Sequence, residues 1–190
     1  MSDFLLVGLG NPGPKYEGTR HNFGFSVIER FAKLHKIALT SNKFHGRYAS
    51  ASVDGFDIGL LMPQTFMNLS GKSVAAAVQF FKFEMERLLV IHDEIDLPLG
   101  SIRFKEGGGH GGHNGLRDLK QSLGTGDFCR VRMGVGRSEH GDVTHHVLCK
   151  FRPDEVNVME QTRDLACEAI SVFLREGLQA AQNSFNGCTA

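Results

Sequence analysis

Apolar stretches of different length and period divide this chain into predicted strands and helices. Short runs rich in Val, Ile, Leu and Phe, bounded by Gly, Pro or charged residues, are typical of strands. Such runs lie at residues 4–9, 44–53, 56–62, 88–91 and 128–135. Asp54-Gly55 separates the second run from the third and predicts a hairpin. The fully apolar run 88–91 predicts a central strand buried on both faces, so the expected sheet is mixed.

Longer segments with apolar residues three or four positions apart predict helices between these strands. The first should run from Asn22 to His35, a second should follow residue 70, and a third should follow Asn114. A long last helix should begin at Pro153 and stop at Gly177. Residues 97–104 should form an irregular or edge strand, and residues 142–151 show no clear pattern. We therefore predict a single α/β domain over residues 1–177 and a polar, loosely held tail over residues 178–190.

Composition and charge narrow the possible functions only a little. The chain has 190 residues, with 21 Lys plus Arg and 21 Asp plus Glu, so its net charge does not indicate nucleic acid. A neutral total still permits a local basic face. The four cysteines are widely spaced without a metal-ligand pattern, which favours a reduced, cytoplasmic protein. The absence of a leader pattern and of a long apolar run predicts neither secretion nor contact with a membrane.

Polar side chains gather where predicted strands end, which is where open α/β folds place ligand chemistry. In chain order these residues are Asn11 with His21, Asn68, Asp93, and His113 with Asn114. A histidine and a carboxylate form the base-and-orienter part of a hydrolytic triad, here without an obvious Ser or Cys nucleophile. Asparagine side chains can hold a peptide backbone or a carbonyl oxygen that gains charge. The combination predicts metal-free hydrolysis of an acyl compound by water.

Each of these residues also has a purely structural interpretation. An asparagine before a helix, such as Asn22 or Asn114, usually caps that helix, and a lone loop histidine is usually a surface residue. A carboxylate beside a proline-rich turn can simply stabilise the turn. Only the convergence of several such groups at one sheet edge favours a functional site.

Two other kinds of site are weaker alternatives. Three glycines match the dinucleotide fingerprint G-x-G-x-x-G: Gly8, Gly10 and Gly13. That motif needs a helix directly after it, whereas prolines and loop residues follow here. A zinc site would draw on His92, Asp93, His110 and His113. These residues lack the H-E-x-x-H arrangement on a helix, so we predict no metal and no cofactor.

Four segments resemble the bacterial-type peptidyl-tRNA hydrolases, in matching order and over residues 4–173. They are GLGNPGPKYEGTRHNFG, MPQTFMNLSGKSV, HDEIDLPLGSIRFKEGGGHGGHNGLRDL and RVRMGVGR. The resemblance implies a single α/β domain with a twisted, mixed and mostly parallel sheet flanked by helices, acting as a monomer. It implies hydrolysis of the ester between a peptide and the terminal ribose of tRNA, so peptidyl-tRNA is the expected partner. Many members of this family end in basic residues, whereas the tail after Gly177 has no Lys or Arg.

The resemblance also implies roles for individual residues. His21 would be the general base, Asp93 would hold it in its basic form, and Asn11 would distinguish a blocked from a free amino group. We expect the Asn11 amide to accept a hydrogen bond from the neutral peptide N–H of a blocked substrate. Residues expected to contact the peptidyl-tRNA are Tyr16, Phe66, Met67, Asn68, His113 and Asn114.

A run of basic residues around the glycine-rich segment could bind tRNA phosphates. The residues are Arg103, Lys105, Arg117, Lys120, Arg130 and Arg132. We assign phosphate contacts to Lys105 and Arg132, and we interpret Arg117 and Lys120 as solvated helix residues. Because a fold does not fix a function, a non-catalytic RNA-binding protein on the same scaffold is the alternative function.

Overall fold

Seven strands form one sheet in the computed structural model, which describes residues 3–138 and 141–190. The strands are β1 Phe4–Gly8, β2 Ser41–Lys43, β3 Gly46–Val53, β4 Phe56–Pro63, β5 Leu88–Glu94, β6 Ile102–Glu106 and β7 Cys129–Gly134. Side by side they lie in the order β2, β3, β4, β1, β5, β7 and β6.

The central strands run parallel and antiparallel strands flank them. β1 pairs in parallel with β4 on one side and with β5 on the other, and β5 pairs in parallel with β7. β2 and β3 at one edge, and β6 at the other, are antiparallel to their neighbours. This arrangement confirms the predicted mixed, mostly parallel sheet. It also brings the carboxyl ends of β1, β4, β5 and β7 to one edge.

Helices cover both faces of the sheet. Within the described ranges they are α1 Phe23–Leu34, α2 Ser70–Phe81, α3 Asn114–Leu123, α4 Val143–Leu148, α5 Val156–Glu176 and α6 Leu178–Phe185. Side chains of β1 alternate between the two layers, with Leu6 in the core beneath α1 and α5, and Leu5 and Val7 beneath α2 and α3. Among these described helices, none combines the length and apolar character that a bilayer-spanning segment requires.

The turn at Asp54-Gly55 joins β3 to β4 as predicted. Both residues have positive φ angles, 52° at Asp54 and 87° at Gly55. Positive φ at both central positions gives a two-residue turn whose twist matches that of the strands it joins. The sequence predicted this hairpin because Asp-Gly adopts such angles readily.

Two glycines, Gly8 at the end of β1 and Gly24 in α1, allow close packing between the sheet and the helix. A Cβ atom on Gly8 would lie 2.3 Å from the carbonyl oxygen of Gly24, and one on Gly24 would lie 2.3 Å from that of Ile91. These glycines therefore let the start of α1 rest directly on β1 and β5. Two 3₁₀ turns, Pro14–Tyr16 and Arg20–Asn22, separate β1 from α1. A dinucleotide fingerprint would instead place a helix directly after the strand.

The C-terminal segment is ordered, so the prediction of a loosely held tail is wrong. Residues 178–185 form α6, in which Ala181 is completely buried. The Asn186 side chain accepts a hydrogen bond from Phe104 N and donates one to Phe104 O, at 2.7 and 3.1 Å. Asn186 thus satisfies backbone groups along the outer edge of β6. The polar composition of the segment did not indicate this contact. A single amide side chain, that of Asn186, supplies both the donor and the acceptor.

Candidate active site

A cleft of about 620 Å³ opens at the edge where the parallel strands end. All of the predicted catalytic and substrate-binding residues line it: Asn11, Tyr16, His21, Phe66, Met67, Asn68, Asp93, His113 and Asn114. They come from the segments after β1 and β4, from the end of β5 and from the start of α3. The structure therefore brings these residues together, while their chemical roles stay predictions.

The helix α4 forms a wall of the cleft that the sequence did not predict. Its contribution consists of Val143, Thr144, Val147 and Leu148. The helix has only six residues, two of which are histidines, so its sequence shows no apolar period. Asp142 before it was the available signal, since its side chain accepts a hydrogen bond from His145 N at 2.9 Å.

His21 and Asp93 form a buried hydrogen-bonded pair at the base of the cleft. Nδ1 of His21 lies 2.9 Å from Oδ1 and 3.0 Å from Oδ2 of Asp93. An ionised carboxylate can only accept, so Nδ1 carries the proton that is donated to Asp93. The other ring nitrogen, Nε2, has no hydrogen-bond partner among residues 3–138 and 141–190. The ring is therefore held with a proton-accepting atom available.

His113 donates a second hydrogen bond to the same carboxylate. Its Nε2 lies 2.9 Å from Asp93 Oδ1, while its Nδ1 accepts from the backbone N–H groups of Gly115 and Leu116 at 3.1 and 3.3 Å. Because Nδ1 accepts from two N–H groups, the ring proton must be on Nε2. The residue predicted to cap α3 was Asn114, and that prediction is wrong because His113 occupies the N-cap position.

The surroundings of the pair shift both pKa values. Burial would lower the pKa of the His21 imidazole, but the Asp93 carboxylate outweighs burial and raises it above the ordinary 6.5. Burial would raise the pKa of Asp93, but interactions with His21 and His113 hold it well below its usual range. Asp93 is therefore ionised throughout the neutral range, and His21 takes up a proton more readily than an exposed histidine.

The donor chemistry of this cluster fits hydrogen bonding better than metal binding. Within the described residues, potential ligand atoms of His21, Asp93 and His113 lie within 4.8 Å of one another. A metal on Nε2 of His113 would require that ring's proton on Nδ1, where two backbone N–H groups already donate. The zinc alternative from the sequence also included His92 and His110, and among the described residues neither belongs to this three-residue cluster. Burial lowers the pKa of His92 to about 3, and its Nδ1 lies 2.8 Å from the Asp93 carbonyl oxygen, so the His92 side chain is neutral.

The orientation of the Asn11 amide is set by a hydrogen bond to its oxygen, which leaves the amide nitrogen available to donate. Oδ1 of Asn11 accepts from Met67 N at 2.7 Å, which fixes the orientation of the amide. The backbone N–H and C=O of Asn11 are bound by the Asn22 side chain at 2.8 and 2.9 Å. The Asn22 side chain thus holds this loop in place. Among the described residues it makes no hydrogen bond that caps α1, contrary to the prediction. The expected hydrogen bond from a substrate N–H to Asn11 stays a prediction, with Met67 N already occupying one acceptor position of that oxygen.

Two aromatic rings flank the mouth of the cleft. Tyr16 and Phe66 meet edge to face with ring centroids 6.3 Å apart, and Phe66 is 53% exposed. The ammonium group of Lys15 lies 5.7 Å from the centre of the Tyr16 ring. An exposed Phe66 ring and a half-buried Tyr16 ring next to a cation are well suited to stacking on nucleic-acid bases.

The glycine-rich segment is held in place by Arg130. This arginine is 3% exposed, and its guanidinium donates to the carbonyl oxygens of Gly109, Gly108 and Gly126 at 2.7, 3.0 and 3.1 Å. It therefore stabilises the loop that carries His113 to the cleft. Arg130 must be removed from the predicted phosphate-binding stripe, since the residue is buried and both of its Nη atoms donate to carbonyl oxygens inside the protein.

Lys105 and Arg132 lie on the same face of the sheet, outside the cleft lining. Lys105 on β6 pairs in register with Arg130 on β7, which makes Arg132 its diagonal neighbour. The Lys105 side chain is exposed, whereas Arg132 Nε donates to Glu94 at 3.0 Å and its side chain is 24% exposed. Lys105 and Arg132 are thus both at least partly accessible on this face.

Comparison with known proteins agrees with this architecture. A family model described as peptidyl-tRNA hydrolase matches residues 5–190. Peptidyl-tRNA hydrolases of Citrifermentans bemidjiense and Geotalea uraniireducens are 47% and 50% identical to this chain over 186 residues, covering 98% of it and 99% and 97% of those proteins. The crystal structure of peptidyl-tRNA hydrolase from Acinetobacter baumannii matches with a TM-score of 0.92 and 40% identity, over 100% of this chain and 97% of that one.

The fold, the cleft and these relatives define an α/β enzyme of the hydrolase class. The chain belongs to the peptidyl-tRNA hydrolase family. The resemblance inferred from four sequence segments is thereby confirmed over almost the entire chain.

Proposed function

We propose that this protein hydrolyses the ester between an N-blocked peptide and the 3′-terminal ribose of tRNA, releasing the peptide and free tRNA. The observation that carries the proposal is the His21–Asp93 pair, in which Nδ1 is fixed and Nε2 remains available in the cleft. An ester needs less activation than an amide, so a positioned base and donor groups suffice without a covalent intermediate. We also propose that it acts as a monomer in the cytoplasm.

The proposed reaction begins with water beside His21. Nε2 removes a proton from the water, and the oxygen attacks the ester carbonyl carbon to form a tetrahedral oxyanion. Asp93 stabilises the imidazolium that forms, without accepting its proton. The oxyanion then collapses, the ribose oxygen leaves, and the imidazolium Nε2–H protonates it. His21 returns to its starting state, and the proton count balances without a metal.

Asn11 is the proposed donor to the carbonyl oxygen as it gains charge. Its Oδ1 is fixed on Met67 N, so its Nδ2 is available to donate. This assignment gives Asn11 the opposite hydrogen-bonding role from that expected from the sequence.

Peptide release from an N-blocked aminoacyl-tRNA tests the proposed function. We expect multiple turnovers, and turnover should persist after exhaustive chelation and verified removal of metals. A protein that binds tRNA but releases no peptide would instead be the non-catalytic RNA-binding alternative. Loss of release on chelation, with recovery on adding Zn²⁺, would assign the chemistry to a metal.

Changing Asn11 to Asp should lower kcat by roughly 10²-fold, the usual effect of losing one donor to an oxyanion. The aspartate keeps an oxygen for Met67 N, so the loop geometry is retained while the Nδ2 donor is lost. The matched control is Asn42→Asp on the exposed strand β2, which should have no effect. The ratio of kcat/KM for blocked and free aminoacyl-tRNA is measured alongside. A fall in that ratio, with kcat retained, would instead show that Asn11 discriminates between blocked and free amines.

Lys105 and Arg132 are proposed to bind tRNA phosphates away from the reacting ester. Both project from one sheet face near the glycine-rich loop, and diagonal neighbours of this kind lie about 7 to 8 Å apart. Glu94 occupies only Nε of Arg132, which leaves the other guanidinium donors for an anion.

Lys105→Ala and Arg132→Ala should raise KM at moderate salt while kcat stays nearly constant, because phosphate contacts give uniform binding. Each lost contact should also reduce the slope of log K against log salt by about 0.7 to 0.9. Arg117→Ala, on α3, is the control and should leave the slope unchanged. A substrate with only the terminal nucleotides should be insensitive to both changes. Equal losses on that fragment and on full tRNA would contradict the phosphate role.

A further inference from the structure

Arg20, the residue before His21, is buried and directed away from the cleft. Its side chain is 5% exposed, and that of its partner Glu155 is 16% exposed. The guanidinium donates to the Glu155 carboxylate and, at 2.7 Å, to the carbonyl oxygen of Lys150. It also lies 5.1 Å from the centre of the Phe151 ring. A single side chain therefore holds much of the connection between α4 and α5.

The backbone reinforces the same attachment. Arg20 N donates to Cys149 O at 3.0 Å, and Thr19 forms an isolated bridge with Lys150. Cys149 directly follows α4, the helix that forms a wall of the cleft. The residues that position His21 and those that position this wall therefore meet at Arg20.

We propose that Arg20 is a positioning residue that fixes the His21 ring and the α4 wall in one geometry by binding Glu155 and the Lys150 carbonyl. This inference rests on the proposed hydrolysis of peptidyl-tRNA, in which His21 is the base. Arg20 itself does not line the cleft.

The physical argument is that His21 depends on its backbone as well as on Asp93. The ring can direct Nε2 at a water only if the 3₁₀ turn Arg20–Asn22 keeps Nδ1 within reach of Asp93, at 2.9 Å. The turn is attached through Arg20 to a segment distant in sequence. Small displacements of a catalytic group have large effects on rate, so this attachment should influence turnover.

A second, more exposed ion pair provides the control. Arg30 on α1 binds Asp164 on α5 through Nε and Nη2 at 2.7 and 3.2 Å, so it also joins the N-terminal part of the chain to α5. Neither Arg30 nor Asp164 lines the cleft. Lysine keeps the charge at either site but cannot reproduce the planar set of donors.

The experiment compares Arg20→Lys with Arg30→Lys. On a minimal substrate with the terminal nucleotides, we expect Arg20→Lys to lower kcat by about 10- to 100-fold with a smaller change in KM, and Arg30→Lys to retain kcat. The proton NMR signal of His21 Nδ1–H should shift or broaden in Arg20→Lys alone. A purely structural role would lower thermal stability without moving that signal below the unfolding transition.

Equal kcat values and an unmoved His21 signal in both variants would overturn the proposal. If Arg20→Lys does not fold, Glu155→Gln compared with Asp164→Asn applies the same criteria. A wild-type protein without turnover would refute the proposed function, whereas the NMR comparison would still decide whether Arg20 positions His21.

Discussion

Replacing His21 with alanine is expected to lower kcat by about 10² to 10⁴, the usual contribution of a general base, while tRNA binding stays nearly intact. The side chain is 11% exposed and its Nδ1 is bound to Asp93, so Nε2 is the ring atom left for proton transfer. Single-turnover peptide release and a separate tRNA-binding measurement distinguish the two properties.

His35→Ala is a suitable control for His21→Ala. His35 follows α1 and packs against Phe31, with ring centroids 4.4 Å apart. The substitution therefore removes an imidazole that lies outside the cleft. We expect its turnover to be unchanged. Near-normal turnover of His21→Ala would refute the general-base role.

Asp93→Asn should lower kcat by about 10⁴, the order of loss seen when an orienting carboxylate becomes an amide. Both His21 Nδ1 and His113 Nε2 donate to this one carboxylate. An amide would offer an N–H where an acceptor is needed and would favour the wrong His21 tautomer. Losing these bonds should also reduce the free energy of unfolding by about 1 to 3 kcal/mol. Activity of Asp93→Asn close to wild type would exclude the orienting role.

The pH dependence of the same variant gives an independent test. Neutral His21 is the active form and its pKa is raised above 6.5, so kcat/KM should fall as pH drops through that raised value. In Asp93→Asn the attraction that raises the pKa is lost, while the burial that lowers it remains. The acid limb of the residual activity should therefore move to lower pH. An unmoved limb would show that another group controls it.

The stability of the folded protein should depend on pH through Asp93 and His21, with opposite signs. The depressed pKa of Asp93 stabilises the folded protein above the ordinary value of 3.8, and this stabilisation is lost as pH falls towards the folded-state pKa. The raised pKa of His21 stabilises the folded protein below 6.5, and this stabilisation is lost as pH rises through the raised value. The difference in unfolding midpoint between wild type and Asp93→Asn should therefore be largest between about pH 4 and 6.5.

Elements whose signals are local could be predicted from the sequence. Continuous apolar runs gave β1 and β5, and Asp54-Gly55 gave the hairpin, because short-range backbone preferences and burial patterns decide such features. Knowing that polar residues followed several strands was enough to place Asn11, His21 and Asp93 at one edge, since parallel strands end together. The four characteristic segments supplied the family.

Which atoms of these residues are available depends on contacts that form only in the folded protein. The orientation of the Asn11 amide depends on its hydrogen bond to Met67 N. The tautomer of His113 depends on the backbone N–H groups at the start of α3. Arg130 is buried because it donates to carbonyl oxygens of the glycine-rich loop. Hydrogen bonds of this kind join residues far apart in sequence or depend on backbone direction, which residue type and spacing do not encode. For the same reason the sequence did not reveal the α4 wall or the order of the C-terminal helix.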